Sequence, residues 1–140
     1  MYSVEASQAN YIEPGKRPMS SMAPMIIVND DGKVVLAIGG TGGSKITSGI
    51  AMVTMRNLWQ DYNIKEAIDQ PRIHHQLIPN NLMAEWFFPE NYKEELRKRG
   101  HNVTMVSQLH RFNVIMGVHL KCGRLYANAD FRKGGAVDGI

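Results

Sequence analysis

Met25-Ile26-Ile27-Val28-Asn29-Asp30-Asp31-Gly32-Lys33-Val34-Val35-Leu36-Ala37-Ile38-Gly39-Gly40-Thr41-Gly42-Gly43-Ser44-Lys45-Ile46 is the stretch on which the fold turns. Its two β-branched runs, 25–28 and 33–38, flank the polar segment Asn29-Asp30-Asp31-Gly32, which ends on a residue suited to positive φ. That pattern predicts a β-hairpin. Glycines then crowd the chain, four in the five residues 39–43, and a helix is predicted from Lys45 to Gln60. Ile46, Ile50, Val53 and Asn57 fall on one face of it, while Ala51, Met52, Met55, Leu58 and Trp59 fill the others, so the expectation is a helix buried nearly all round.

Upstream, residues 1–24 have no hydrophobic period and are punctuated by Pro14, Gly15, Pro18 and Pro24, which reads as an extended lead-in. Downstream, Asn63-Ile64-Lys65-Glu66 has the spacing of a capping box and predicts a short, partly exposed helix to Asp69, stopped by Pro71. A strand is expected over 82–88 and a surface helix over 90–99, with Tyr92 and Leu96 four apart and Gly100 as its stop. Strands are expected at 102–106, 113–120 and 124–129, the last two joined at Lys121-Cys122-Gly123. Strands at both ends with helices between them point to an α+β architecture rather than a βαβ repeat. The division expected is a lead-in over 1–24 and one domain over 25–140.

Composition narrows the function classes. The chain has 140 residues, 44% hydrophobic and 21% charged, which fits one globular core and excludes collagen, coiled coil and wholesale disorder. Net charge is +3, from 16 basic against 13 acidic residues, and the cluster Arg97-Lys98-Arg99 has no interleaved aromatic residues to stack on bases. No nucleic-acid partner is expected, and the cluster reads as a solvated helix end. Cys122 is the single cysteine, which excludes an internal disulfide and a thiolate-pair zinc site. No run approaches the roughly 18 apolar residues of a membrane span, and the first residues lack the order of a signal peptide.

The glycine cluster ahead of a helix is the strongest chemical signal. Glycines let backbone approach a ligand closely, and a helix start offers unpaired N–H groups with a positive dipole end. Two readings stand: a site for an anion or a developing oxyanion, or a turn needed only for tight strand-to-helix packing. Neither familiar nucleotide loop fits, since Ser44-Lys45-Ile46 is not the glycine-lysine-serine order of a P-loop and Lys45 stands where the dinucleotide pattern requires glycine. Ser20 and Ser21, in a proline-bounded loop, can each donate to one carboxylate, although such a pair is also an ordinary turn or solvent-facing feature. No nucleophile elbow surrounds them. His74 and His75 point in opposite directions if extended and read as packing residues; His101, His110 and His119 add no ligand spacing, so no metal is expected. Asn102-Val103-Thr104 is a glycosylation sequon by pattern.

Pro14-Gly15-Lys16-Arg17-Pro18-Met19-Ser20-Ser21-Met22, followed by Gly42-Gly43-Ser44-Lys45-Ile46, resembles the gamma-glutamyltransferase (glutathione hydrolase) family. The similarity continues through Asn57-Leu58-Trp59, through 66–79 (including Pro71-Arg72-Ile73-His74-His75) and to Asp130-Phe131-Arg132-Lys133-Gly134-Gly135. It corresponds to the later part of that family's small subunit. The resemblance implies a partial αββα sandwich of the N-terminal-nucleophile hydrolase type. It implies cleavage of the gamma-glutamyl amide of glutathione and transfer of the glutamyl group, through an acyl-enzyme, to water or to amino-acid and peptide acceptors, with no cofactor. On this basis Ser20 and Ser21 would hold the gamma-glutamyl α-carboxylate, and the Gly42 and Gly43 N–H groups would form the oxyanion hole.

The family's nucleophilic threonine, and the residues that grip the substrate's amino group, would lie ahead of Met1. Thr41 and Thr47 are internal and have no free amine to serve as base. The expectation is a fragment that alone is inactive, with the large subunit and the upstream part of the small subunit as partners. The alternative is a non-catalytic binding or decoy module for a gamma-glutamyl ligand or for a full-length partner. An extracellular or plasma-membrane ectodomain setting is implied by the resemblance alone.

Overall fold

Met25–Val28 (β1) and Val34–Thr41 (β2) form the predicted hairpin. Gly32 closes its turn at φ +76°, and Asn29 Oδ1 accepts from the Lys33 N–H at 2.9 Å. The structure is a computed structural model and describes residues 5–110 and 112–139. Further along the chain come α1 (Lys45–Trp59), α2 (Ile64–Asp69), β3 (Ile73–His74), β4 (Leu82–Glu85), α3 (Glu90–Lys98), β5 (Val103–Val106), β6 (Val114–Lys121) and β7 (Arg124–Ala129). Residues 5–24 are mostly exposed, with a single 3-10 turn at Gln8–Asn10. No helix of the described residues is long and apolar enough to cross a membrane.

Two sheets result. The larger has the antiparallel order β1-β2-β6-β7; the smaller has the order β3-β4-β5, in which β4 and β5 run parallel. Helices α1 and α2 cover one face of the larger sheet. Leu36 and Ile38 of β2 and Ile115 of β6 pack there against Ile46, Ile50 and Val53 of α1 and Ile64, Ala67 and Ile68 of α2. Full burial of one such aliphatic side chain contributes about 1.5–3 kcal/mol, so this αβ interface carries the core. The α2 cap forms as read: Asn63 Oδ1 accepts from the Glu66 N–H, and Glu66 Oε2 accepts from the Asn63 N–H, both at 2.9 Å.

Four expectations change. Helix α1 is buried on one face only, with Trp59 76% exposed, because a sheet lies beneath it and no described element lies above it. The glycine cluster splits: Gly39 and Gly40 stay in β2 opposite Met116 and Ile115, and only Gly42 and Gly43 make the turn. A Cβ on Gly40 would sit 2.5 Å from both Ile115 Cδ1 and the Val114 carbonyl oxygen, so glycine here permits close strand contact. The strand expected over 82–88 ends at Glu85, where a turn follows through Phe88. In α3 the residue turned inward is Lys93, 2% exposed against 59% for Tyr92. The whole side chain is buried, with the ammonium paired to Glu90 at 2.6 Å and 3.2 Å from Met105 Sδ.

Candidate functional site

Gly42 and Gly43 adopt φ values of +138° and +63°, conformations that side chains resist, and so turn the end of β2 directly into α1. Helix α1 begins on them: the Gly42 carbonyl accepts from the Lys45 N–H at 3.4 Å and the Gly43 carbonyl from the Ile46 N–H at 3.1 Å. The N–H groups of Gly42 and Gly43 donate to no acceptor among the described residues. Ser44 caps the helix without a side-chain hydrogen bond, so the positive end of the helix dipole is not quenched locally. A cleft lined by Thr41, Gly42, Phe112, Asn113, Val114 and Lys133 opens beside the turn. The Lys45 ammonium lies 5.9 Å from the Phe112 ring centroid.

The serine loop meets this turn. Ser21 Oγ donates to the Gly43 carbonyl oxygen at 2.5 Å, across 22 residues of chain. Ser20 is exposed, and its Oγ accepts from the Met22 N–H at 3.1 Å, a local serine turn. Two of the four residues picked from the sequence, Ser21 and Gly43, are therefore in direct contact, and the other two flank them in the chain.

The histidines separate as extended backbone requires. His74 is buried, with Nδ1 2.8 Å from Ser48 Oγ and Nε2 2.9 Å from Gln76 Oε1, whereas His75 is exposed and reaches Asn80. Both nitrogens of His74 are engaged in packing contacts. Among the described residues no group of three or more His, Cys, Asp or Glu side chains gathers where it could hold a metal ion.

Beneath the turn lies a buried charged assembly to which sequence reading assigned no role. Arg72 is fully buried and donates through Nη2 to Asp130 Oδ2 and to the Ile68 carbonyl, both at 2.6 Å. Its Nη1 donates to Asn113 Oδ1 at 2.8 Å and to the Asn113 carbonyl at 3.1 Å. Arg132 pairs with Glu85 through Nε at 2.5 Å and Nη2 at 2.7 Å, and reaches Asp130 Oδ1 at 3.0 Å. Its guanidinium also lies 4.5 Å from the Phe131 ring centroid. Burial pushes the Asp130 carboxyl up. The Arg72 charge, together with N–H donation from Ile115 and Arg132, outweighs that and holds it below the ordinary carboxylate range. Local sequence gives it no signal: Arg72 lies between Asp69-Gln70-Pro71 and Ile73-His74-His75, and Asp130 and Arg132 lie between Asn128 and Lys133.

Comparison with known proteins bears on the family and the fold. The family model described as gamma-glutamyltranspeptidase matches residues 1–140. The chain is 47% identical over 141 residues to scoloptoxin SSD20 of Scolopendra dehaani, covering 100% of this chain and 71% of that one. It is 33% identical over 132 residues to glutathione hydrolase proenzyme 1 of Schizosaccharomyces pombe, covering 94% of this chain and 21% of that one. Among solved structures, the gamma-glutamyltranspeptidase of Pseudomonas nitroreducens complexed with L-DON superposes with a TM-score of 0.84 at 31% identity, covering 99% of this chain and 72% of that one. The α1 and α2 layer on its four-stranded sheet is thus one αβ half of the αββα sandwich of N-terminal-nucleophile hydrolases. With that family model matching the whole chain and the fold shared with a solved gamma-glutamyltranspeptidase, the chain belongs to the gamma-glutamyltranspeptidase family.

Proposed function

We propose that the Ser20-Ser21 loop and the Gly42-Gly43 turn form the glutamyl-holding side of a gamma-glutamyl transfer site. The observation that carries this reading is the Ser21 Oγ to Gly43 carbonyl contact at 2.5 Å, which sets hydroxyl donors beside unpaired N–H donors. A gamma-glutamyl group has an anion at one end and a reacting carbonyl at the other, and the two donor sets match those ends. The hydroxyls of Ser20 and Ser21 donate to the α-carboxylate, for which the Ser21 hydroxyl rotates off the Gly43 carbonyl. The Gly42 and Gly43 N–H groups face the carbonyl oxygen.

When a nucleophile attacks that carbonyl, the oxygen becomes negative and the fixed N–H dipoles stabilise it more than they stabilise the neutral carbonyl. Collapse breaks the amide C–N bond: the amine component, cysteinylglycine in the case of glutathione, leaves with the proton that the base took from the nucleophile, and an acyl-enzyme remains. Water or an amino-acid or peptide acceptor then attacks the same carbonyl, and the oxyanion forms again in the same place. The attacking group in this scheme is an N-terminal threonine with its own amine as base. Thr41, Thr47, Thr54 and Thr104 are all internal to these 140 residues. In this scheme the Ser20-Ser21 loop and the Gly42-Gly43 turn hold the glutamyl group, and turnover requires the large subunit and a threonine-bearing segment.

Purified alone, the chain is expected to release no chromophore from a gamma-glutamyl anilide, yet to bind L-glutamate in calorimetry. Hydrogen bonds to a charged group are worth about 1.5–3 kcal/mol each. Ser20→Ala/Ser21→Ala is accordingly expected to weaken glutamate binding at least about tenfold. Chromophore release by the wild-type chain, abolished by changing Gly43 to a bulky residue, would overturn the assignment of the nucleophile. Binding without hydrolysis is also what a non-catalytic holder or decoy would show. Restoration of turnover by adding the large subunit and threonine segment of a relative separates the enzyme part from the decoy.

A further inference from the structure

We infer that Asn113 is a positioning residue for the Gly42-Gly43 turn, held in one amide orientation by buried Arg72. This rests on the proposed role of the turn. Asn113 is almost fully buried at the entrance to β6, and its amide bridges two parts of the fold. Oδ1 accepts from Arg72 Nη1 at 2.8 Å, and Nδ2 donates to the Lys45 carbonyl oxygen, at the first residue of α1, at 2.8 Å.

A guanidinium only donates, so the oxygen end of the amide must face Arg72 and the NH2 end must face Lys45. Arg72 in turn cannot rotate away, because its other nitrogen is held by Asp130 and the Ile68 carbonyl. The amide is thereby locked in orientation as well as in place.

Packing transmits that lock to the turn. A Cβ at Gly42 would lie 2.7 Å from Asn113 Cβ, and a Cβ at Gly49 would lie 1.9 Å from Asn113 Nδ2. Backbone of the turn and of the first part of α1 thus rests directly on the Asn113 side chain, with glycine at both points of contact. The Lys45 carbonyl that Nδ2 holds belongs to the same residue whose N–H closes on the Gly42 carbonyl. Asn113 therefore grips the helix start and supports the turn at once. Two N–H groups aimed at one developing oxyanion need their spacing kept to a fraction of an ångström, and a rigid, oriented amide beneath them supplies it.

Asn113→Asp is the informative variant, since it keeps size and the Arg72 contact but sets an oxygen against the Lys45 carbonyl. The chain, labelled with 15N-glycine, is titrated with L-glutamate while the Gly42 and Gly43 N–H resonances are followed. Ile50→Val serves as a control that loosens the core away from the turn, and Asn113→Ala as a second variant; melting temperatures are recorded for all. The expected result is a saturable shift of both resonances in the wild type, a loss of at least tenfold in glutamate affinity in both Asn113 variants, and affinity within twofold of wild type in Ile50→Val. Wild-type shifts with unchanged affinity in Asn113→Asp, or losses that track melting temperature as in Ile50→Val, overturn the positioning role and leave the turn's role standing. Absence of any saturable shift in folded wild type overturns the role of the turn, and this inference with it.

Discussion

Arg72→Met is expected to destabilise the fold by about 3–5 kcal/mol, the cost of removing one partner from a buried ion pair. Asp130 stays within the protein, 1% exposed; Oδ2 loses its Arg72 donor, and Arg132, 3.0 Å from Oδ1, is the cation that remains. Asn113 Oδ1 and the Ile68 carbonyl lose a donor in the same step. Against a total stability of about 5–15 kcal/mol for a domain, a loss of this size removes a large share of the folded population. Urea unfolding read by far-UV circular dichroism measures it. A change below about 1 kcal/mol would place the pair with exposed ion pairs and refute its structural weight.

The same carboxylate sets an acid limb. Asp130 is held below its ordinary value in the folded state, and the unfolded chain has it near about 3.9. Its contribution is therefore complete above the unfolded value and is lost as pH falls through the folded one. Stability from this group is expected to be level from about pH 5 upward and to decline below about pH 4. In Asp130→Asn that part of the decline is absent, because no carboxylate remains to protonate. An equally steep acid limb in Asp130→Asn would assign it to other carboxylates.

What was legible in the sequence follows a physical line. The hairpin, the α2 cap and the β6–β7 turn are decided by neighbours in the chain: the Asn29 to Lys33 bond, the Asn63 to Glu66 pair and the Gly123 turn at φ +73° all close within a few residues. One-sided burial of α1 is not legible in periodicity, which reports which residues are apolar, not how many layers are available to cover them. Trp59 and Met55 are apolar and exposed for that reason. Gly42 and Gly43 stood out locally, whereas the contact between Ser21 and Gly43 spans 22 residues and has no local signal. Arg72, Asn113 and Asp130 were harder still. Their mutual distances in sequence, 41 and 58 residues from Arg72, place the assembly beyond any pattern of period 2 or 3.6.

The 140-residue polypeptide alone is expected to self-associate, and the cause lies on the face of the larger sheet that α1 and α2 do not cover. Cross-strand register aligns Ile26, Ala37, Val118 and Ala127 in one row, and Gly39, Met116 and Ala129 in the next. No charged side chain stands in either row, and Met116 and Val118 remain 46% and 40% exposed. The neighbouring row toward the helices carries Leu36, which is fully buried, so alternation is satisfied and both faces of β2 are apolar. A strand apolar on both faces belongs between two layers, and only one is supplied by the described residues. Exposed apolar area of this kind drives association, and the β1 and β7 edges offer unpaired backbone for it. Light scattering at micromolar concentration is expected to show oligomers for the wild-type chain and a shift toward monomer for Met116→Lys/Val118→Lys. Because both side chains face away from the helix-packed core, the unfolding midpoint of that variant should change little. A wild-type chain that is monodisperse, monomeric and cooperatively melting would refute the uncovered face as a site of association.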